Sequence, residues 1–470
     1  MASPRARSVA ALLVVLLSIG CASTIQHKDR VAPGVTSPTA TPPQLDLSIS
    51  APPVASTGPG WDAKNIYIGL ITENDAQRVA QALGLANLDP GDQEADARAE
   101  IASINRAGGV FGRRLVLRPY NTNTFALLAS PDTQAAAACT HFTQDARVAA
   151  VVNDVTIIDT PAFKQCFARN HLPMFEGSQQ PTDTKALLGF GGYIIAVLSP
   201  SYTDMAPTLV RRLDAEGYFT PWDTDKGAPG VAPVKVGLLT PHDATGAEAA
   251  RLLSAALSDV GHPPAVVYSY SASGAGSGTQ SSAAFRFHAQ GITHVIGTGL
   301  NTYLFMQPAE AQGYRPRYGV STFNGPGVLL EHNVPQVQLV GSLGIGTDPT
   351  GDVGLAQDPG DVSDAQRVCL DTMHAAGQDF GEHRLAEAVA LFDCDAFRLV
   401  RDAMKAGHGI TPDAIVRGVQ IAGPDFVPAE TFSSGLGPGA FALAGSARDL
   451  GYDAACHCYR YLSSKNHRIH

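Results

Sequence analysis

The chain has 470 residues, 44% of them hydrophobic and 16% charged, with a formal net charge of −10. The apolar share supports packed cores and excludes wholesale disorder, and the length suits two or three domains. The acidic balance argues against a partner recognised by its phosphate backbone, so no nucleic-acid role is expected; a single apolar run, at the N-terminus, excludes a polytopic membrane protein.

In chain order, Arg5 and Arg7 precede the apolar stretch Ser8–Leu17, then Ser18, Ile19, Gly20 and Cys21. The run is shorter than the ~20 residues of a spanning helix and has the basic, apolar, small-residue order of a secretory signal. A cysteine directly after such a run resembles a bacterial lipobox, with Ser18 where leucine is usual and Leu17 one place earlier. The resemblance implies cleavage before Cys21, a lipid on its sulfur, and an extracytoplasmic protein anchored to the cell membrane. An ordinary signal cut near Ala22 is the plainer alternative. Residues 1–20 are therefore expected to be a leader. Residues 21–60 are expected to be a tether, because seven prolines among Ser, Thr and Ala between Val31 and Gly60 cannot bury a core.

Beyond Gly60 the pattern alternates. Ile66–Ile71 is a near-continuous apolar run, as in a parallel strand buried on both faces. A helix is predicted over 92–106, ending at Ala107-Gly108-Gly109. A strand follows over 114–118, a helix over 131–144 with proline in its first turn, a strand over 148–152, a helix over 160–170 and a strand over 172–175. The rhythm restarts with strands at 234–239, 265–268, 294–297 and 317–320, separated by helices at 247–260, 283–290 and 303–312. Strands alternating with helices of this kind form βαβ units, so the expected fold class is α/β, with two doubly wound parallel-sheet lobes.

Ligands of open α/β sheets sit beyond the carboxyl ends of the strands. The loops there are Thr72–Asn74, Asn153–Thr156 and Glu176–Gln180 in the first block, and Thr240–Gly246, Thr298–Asn301 and Ser321–Asn324 in the second. They are rich in small hydroxyl and amide side chains, which suits a small polar ligand between the lobes. The same residue types also cap helices and make turns. Backbone N–H groups at the helix starts favour an anionic or carbonyl-bearing ligand end on the first lobe.

Apart from Cys21 there are six cysteines, an even number that suggests disulfides in an exported chain. Local spacing favours Cys139 with Cys166 and Cys369 with Cys394. Cys456 and Cys458 are left open between a strained local ring, free thiols, and a zinc site with His467 and His470 that lacks a second well-spaced ligand pair. No metal or other cofactor is expected.

The segment Ile104-Asn-Arg-Ala-Gly-Gly-Val-Phe-Gly-Arg-Arg-Leu-Val-Leu-Arg-Pro-Tyr120 resembles the helix-to-strand turn of type I periplasmic solute-binding proteins, the leucine-binding-protein-like branch; Ala311–Pro316 is similar to a later motif of that family. The resemblance covers about Lys64 to Leu462. It implies two lobes joined by three crossovers, near 193–199, 343–346 and 423. Residues 61–196 with 346–423 then form lobe one, and 197–345 with 424–470 form lobe two. It also implies capture of a small solute for an ABC-type permease. Carried over by position, the ligand contacts are Thr156, Ser178 and Gln180 from lobe one and Thr245, Asn301 and Thr322 from lobe two. Lobe two lacks the family's acidic residue for an α-ammonium at the Thr322–Phe323 position, leaving Asp243 or Glu176 as substitutes. The alternatives are a surface-anchored sensor or interaction protein and, behind both, an enzyme. The sequence has no G-x-G-x-x-G after a strand, Walker A, G-x-S-x-G or H-E-x-x-H motif. His242-Asp243 has nothing nucleophilic fixed beside it, and Gly341–Gly346 is glycine-rich but opens no clear helix.

Overall fold

The computed structural model describes residues 55–73, 75–82, 89–155, 160–177, 182–270, 276–299, 302–331, 334–353, 363–381 and 383–469. The expected leader, Cys21 and nearly all of the expected tether lie outside them. Among the described residues no helix is long and apolar enough to cross a membrane.

The first sheet holds β1 (Asn65–Glu73), β2 (Arg114–Thr122), β3 (Ala150–Asn153), β4 (Met174–Glu176) and β5 (Ile194–Ala196), all parallel, in the order β2-β1-β3-β4-β5. β3, β4 and β5 are buried throughout, which is why they read as apolar runs rather than alternating ones. The predicted helix is Gln93–Arg106, capped by Asp92, whose side chain accepts from the Ala95 N–H. It stops where Gly108 and Gly109 take φ of +98° and +68°, a region that favours residues without a Cβ. The Asn105 side chain then pins the helix end to β2, donating to the Leu115 carbonyl at 2.9 Å and accepting from its N–H at 2.8 Å. The turn motif is thus a structural clasp. The helix expected over 131–144 is α-helical only over Pro131–Thr140 and finishes in a π turn over His141–Asp145.

After a short hairpin of β6 (Trp222–Asp223) and β7 (Ala228–Pro229), the second sheet holds β8 (Val236–Pro241), β9 (Val266–Tyr270), β10 (His294–Gly297), β11 (Arg317–Ser321), β12 (Leu343–Gly346), β13 (Ser446–Asp453) and β14 (Cys458–Tyr461). Their order is β14-β13-β12-β11-β10-β8-β9, with β15 (His467–Arg468) beside β13. β8 to β12 are parallel, whereas β13 to β15 add antiparallel edges. Without those edges the order is β9-β8-β10-β11-β12, the same winding as the first sheet.

The chain passes from β5 into the helix Tyr202–Ala215 and returns after β12 through Asp364–Ala375, Arg384–Ala406 and Pro412–Ala422, of which the long middle helix packs on Gln93–Arg106. Gly418 brings the last two of these together: a Cβ there would lie 1.7 Å from the Ala403 carbonyl oxygen. The final return to the second sheet begins at Ser446, later than the boundary expected at 424. Before it, Leu436, Phe441, Ala442 and Leu443 sit in the core of the first lobe, and Ala442 bridges β5 at Ala196.

Disulfides join Cys139 to Cys166 and Cys369 to Cys394, tying neighbouring helices with Cα separations of 6.4 and 6.0 Å. Cys456 is bonded to Cys458, so of the three options for this pair the structure takes the local ring. His467, the third residue of the zinc alternative, bonds the Asp449 carboxylate at 2.9 Å.

Candidate ligand cleft

Both sheets are wound so that the connections from two neighbouring parallel strands lead off to opposite sides at one place, between β1 and β3 in the first lobe and between β8 and β10 in the second. In doubly wound folds of this order the crevice beyond that switch point takes the ligand.

In the first lobe the switch point is acidic. The buried Gln93 amide bridges the two strand ends, accepting from the Glu73 N–H at 2.9 Å and donating to the Asp154 carbonyl at 3.1 Å. The Glu73 carboxyl accepts from the Thr124 hydroxyl at 3.1 Å, and burial pushes its pKa up to about 7. Behind it, Asp96 and Asp393 are fully buried, and neither carboxyl has a hydrogen-bond partner. Burial raises Asp96 to about 7, with Asp92 adding repulsion. It drives Asp154 and Asp393 well above the carboxylate range, and the neighbouring carboxyls add to the shift. Asp154 and Asp393 thus hold protons at neutral pH, and Glu73 and Asp96 titrate around it, because burial penalises the charged form.

Beside them, Lys164 comes from the helix Pro161–Arg169 and pairs with Glu176 at the end of β4 at 3.1 Å, with side chains only 5% and 2% exposed. Its ammonium also donates to the Thr182 hydroxyl at 2.7 Å. The sequence reading missed Lys164. The available signal was its place on the buried stripe Phe163, Lys164, Phe167, Ala168 of an otherwise amphipathic helix. Glu176, one of the two substitutes for an ammonium partner, is thereby engaged.

A cavity of about 190 Å³ lies between the lobes. Pro161, Lys164, Thr182, Asp183, Ala186 and Phe190 line it from lobe one, and Pro241, Asp243, Ala244, Thr245 and Gly246 from lobe two. Three helices start at its wall. Thr160 caps Pro161–Arg169, Asp183 caps Thr184–Gly189, and Asp243 caps Ala244–Asp259 by accepting from the Gly246 N–H at 2.7 Å. Asp243, the other substitute, is thus held as a cap on the cavity wall.

Of the six ligand contacts expected from the sequence, Thr156, Ser178, Gln180 and Asn301 lie outside the described residues. Thr245 lines the cavity. Thr322 is 1% exposed and used inside lobe two, donating to Asp352 at 2.9 Å and accepting from the Thr347 N–H at 2.7 Å. Among the described residues no group of three or more His, Cys, Asp or Glu side chains is placed to hold a metal ion.

The fold is that of the type I periplasmic binding proteins. A branched-chain amino acid ABC transporter protein from Thermus thermophilus, solved with bound valine, superposes with a TM-score of 0.60 at 14% identity, covering 86% of this chain and 97% of that one. A leucine binding protein from Thermotoga maritima gives 0.57 at 14% identity over 84% and 97%. A fatty acid ABC transporter substrate-binding protein from Thermomonospora curvata gives 0.61 at 13% identity over 87% and 94%. No protein-family model matches the chain, and no curated protein does.

Proposed function

We propose that this chain is an extracytoplasmic solute-binding lipoprotein that captures one small polar solute between its lobes and hands it to an ABC-type permease. The observation that carries the reading is the inter-lobe cavity, lined from both lobes beside their switch points and walled by three helix starts. The similar structures are substrate-binding proteins for solutes as different as valine and a fatty acid, so the fold does not choose the solute. The proposed contacts are Thr156, Ser178 and Gln180 from lobe one and Thr245 and Asn301 from lobe two, with Thr322 holding the lobe-two loop. The proposed lobes are 61–196 with 346–423 and 197–345 with 424–470, with 433–444 added to the packing of lobe one. The carboxyls at the lobe-one switch point change one expectation. A solute end facing them is proposed to donate hydrogen bonds, rather than to be anionic.

A thermal-shift screen of amines, amino acids, amides, short peptides, sugars and carboxylates, with calorimetry on hits, tests this. Thr245→Ala should weaken the hit by up to about tenfold, the worth of one hydrogen bond. Thr245→Trp should fill the cavity and abolish binding while the fold survives. A confirmed solute that binds Thr245→Trp unchanged would place the site elsewhere.

The anchor is proposed from Arg5, Arg7, the leucine-rich run and Cys21. Cys21→Ser should release the protein from membranes into the soluble extracytoplasmic fraction. Retention of the variant on membranes would refute lipidation at Cys21.

A further inference from the structure

The Cys456–Cys458 disulfide is unlike the other two in each respect that governs reducibility. It closes a ring of three residues, against sequence separations of 27 and 25 for Cys139–Cys166 and Cys369–Cys394. A longer closed loop gains more from restricting the unfolded chain, so this bond has the least to hold it shut. It fastens no helix to another, since it lies at the tip of the β13–β14 hairpin, where Asp453 already pairs with Cys458 in the ladder. The residue inside the ring, His457, sits at φ +54°, a left-handed conformation that disfavours a side chain bearing a Cβ. Finally, Cys456 and His457 are exposed and Cys458 is buried, whereas Cys139, Cys369 and Cys394 are fully buried and Cys166 is half-buried.

We propose that Cys456–Cys458 is a thiol–disulfide exchange site, open to an external dithiol while the two helix-tying disulfides stay closed. One thiolate of the dithiol attacks the exposed Cys456 Sγ. The S–S bond breaks and Cys458 Sγ leaves as a thiolate, which takes a proton. The second thiolate of the dithiol then attacks its own sulfur in the mixed disulfide and releases Cys456 Sγ, which is protonated in turn. The dithiol is oxidised to a disulfide and the protein gains two electrons and two protons. Opening the ring lets His457 leave the left-handed region and exposes one thiol at the hairpin tip. The hairpin continues into Tyr459 and Tyr461, which bond Ser342 at 3.0 Å and Asp352 at 2.9 Å; these contacts hold β14 in place when the tip is reduced. The assignment is independent of which solute the cleft takes.

The test uses the full chain, natively folded and equilibrated with graded ratios of reduced to oxidised dithiothreitol. Acid quenching, alkylation and peptide mass mapping then report each cysteine pair separately. Cys456 and Cys458 should become alkylated first, at a ratio at least tenfold lower than either other pair requires. Tenfold corresponds to about 30 mV for this two-electron couple. Circular dichroism at that ratio should be unchanged. His457→Gly, which removes the Cβ penalty, should shift the exchange constant severalfold toward the disulfide. The proposal is overturned if the pair opens together with or after the helix-tying disulfides, if its opening unfolds the lobe, or if His457→Gly leaves the constant unmoved.

Discussion

The melting temperature should fall as pH rises from about 5.5 to about 8. Glu73, Asp96 and Asp395 are each raised to about 7 in the folded chain, chiefly by burial. Burial also carries Asp154, Asp352, Asp393 and Glu430 well above the ordinary carboxylate range. An unfolded carboxyl titrates near ~4, so above that pH the folded state holds protons that the unfolded state has lost. Stability then declines with rising pH until the folded groups ionise as well, by up to about 1.4 kcal/mol per group per pH unit. His294 works the other way: burial lowers it to about 4, so its contribution is lost as pH falls from about 6.5 toward 4. One histidine opposes seven carboxyls, and the carboxyls should win. A decline of at least about 5 °C across the window is the expected size for a net effect of several kcal/mol. Asp393→Asn, which keeps the shape and deletes an ionisation, should raise the melting temperature more at about pH 8 than at about 5.5, and barely move it at about pH 4. A flat or rising profile would mean that the cluster is neutralised by something other than protons.

That cluster also marks the limit of what the sequence discloses. The parallel strands were legible because each is an apolar run between turn residues, and the helix over 93–106 because Asp92 and Gly108-Gly109 bound it. Pairing Cys139 with Cys166 and Cys369 with Cys394 needed only that each couple lie on successive helices. The antiparallel edge was not legible, since β13 and β14 form a hairpin placed by a register that spacing does not encode. Nor was the stay of 433–444 on lobe one, where Phe441 enters a core most of whose residues are more than two hundred positions away. Thr245, on the cavity wall, comes four residues after a strand end. Thr322 follows one too, but its hydroxyl meets Asp352 from beyond the next strand. Asp96 and Asp393 come together from two helices distant in sequence. No local pattern announces that juxtaposition.

Replacing Lys164 with alanine should cost about 3–5 kcal/mol, the range for breaking one side of a buried ion pair. The reason lies more in what is left than in what is removed. The Glu176 carboxylate, 2% exposed, would keep its burial and lose the ammonium at 3.1 Å, and the Thr182 hydroxyl would lose its donor at 2.7 Å. Desolvating both charges offsets much of their attraction, so deleting the pair as a whole should be far cheaper than deleting half of it. Lys164→Met with Glu176→Leu should therefore recover most of the lost stability, and a double-mutant cycle should give a coupling above about 2 kcal/mol. Because Lys164 also lines the inter-lobe cavity, solute affinity separates two roles for the pair. If the pair only holds β4 to the helix Pro161–Arg169, the stable double variant binds solute as the wild type does. If Lys164 also presents charge to the solute, the double variant recovers its melting temperature but not its affinity. Additive damage, with the double variant losing the sum of what the two single replacements lose, would show that Glu176 does not depend on Lys164, and would remove the ion pair from any account of the site.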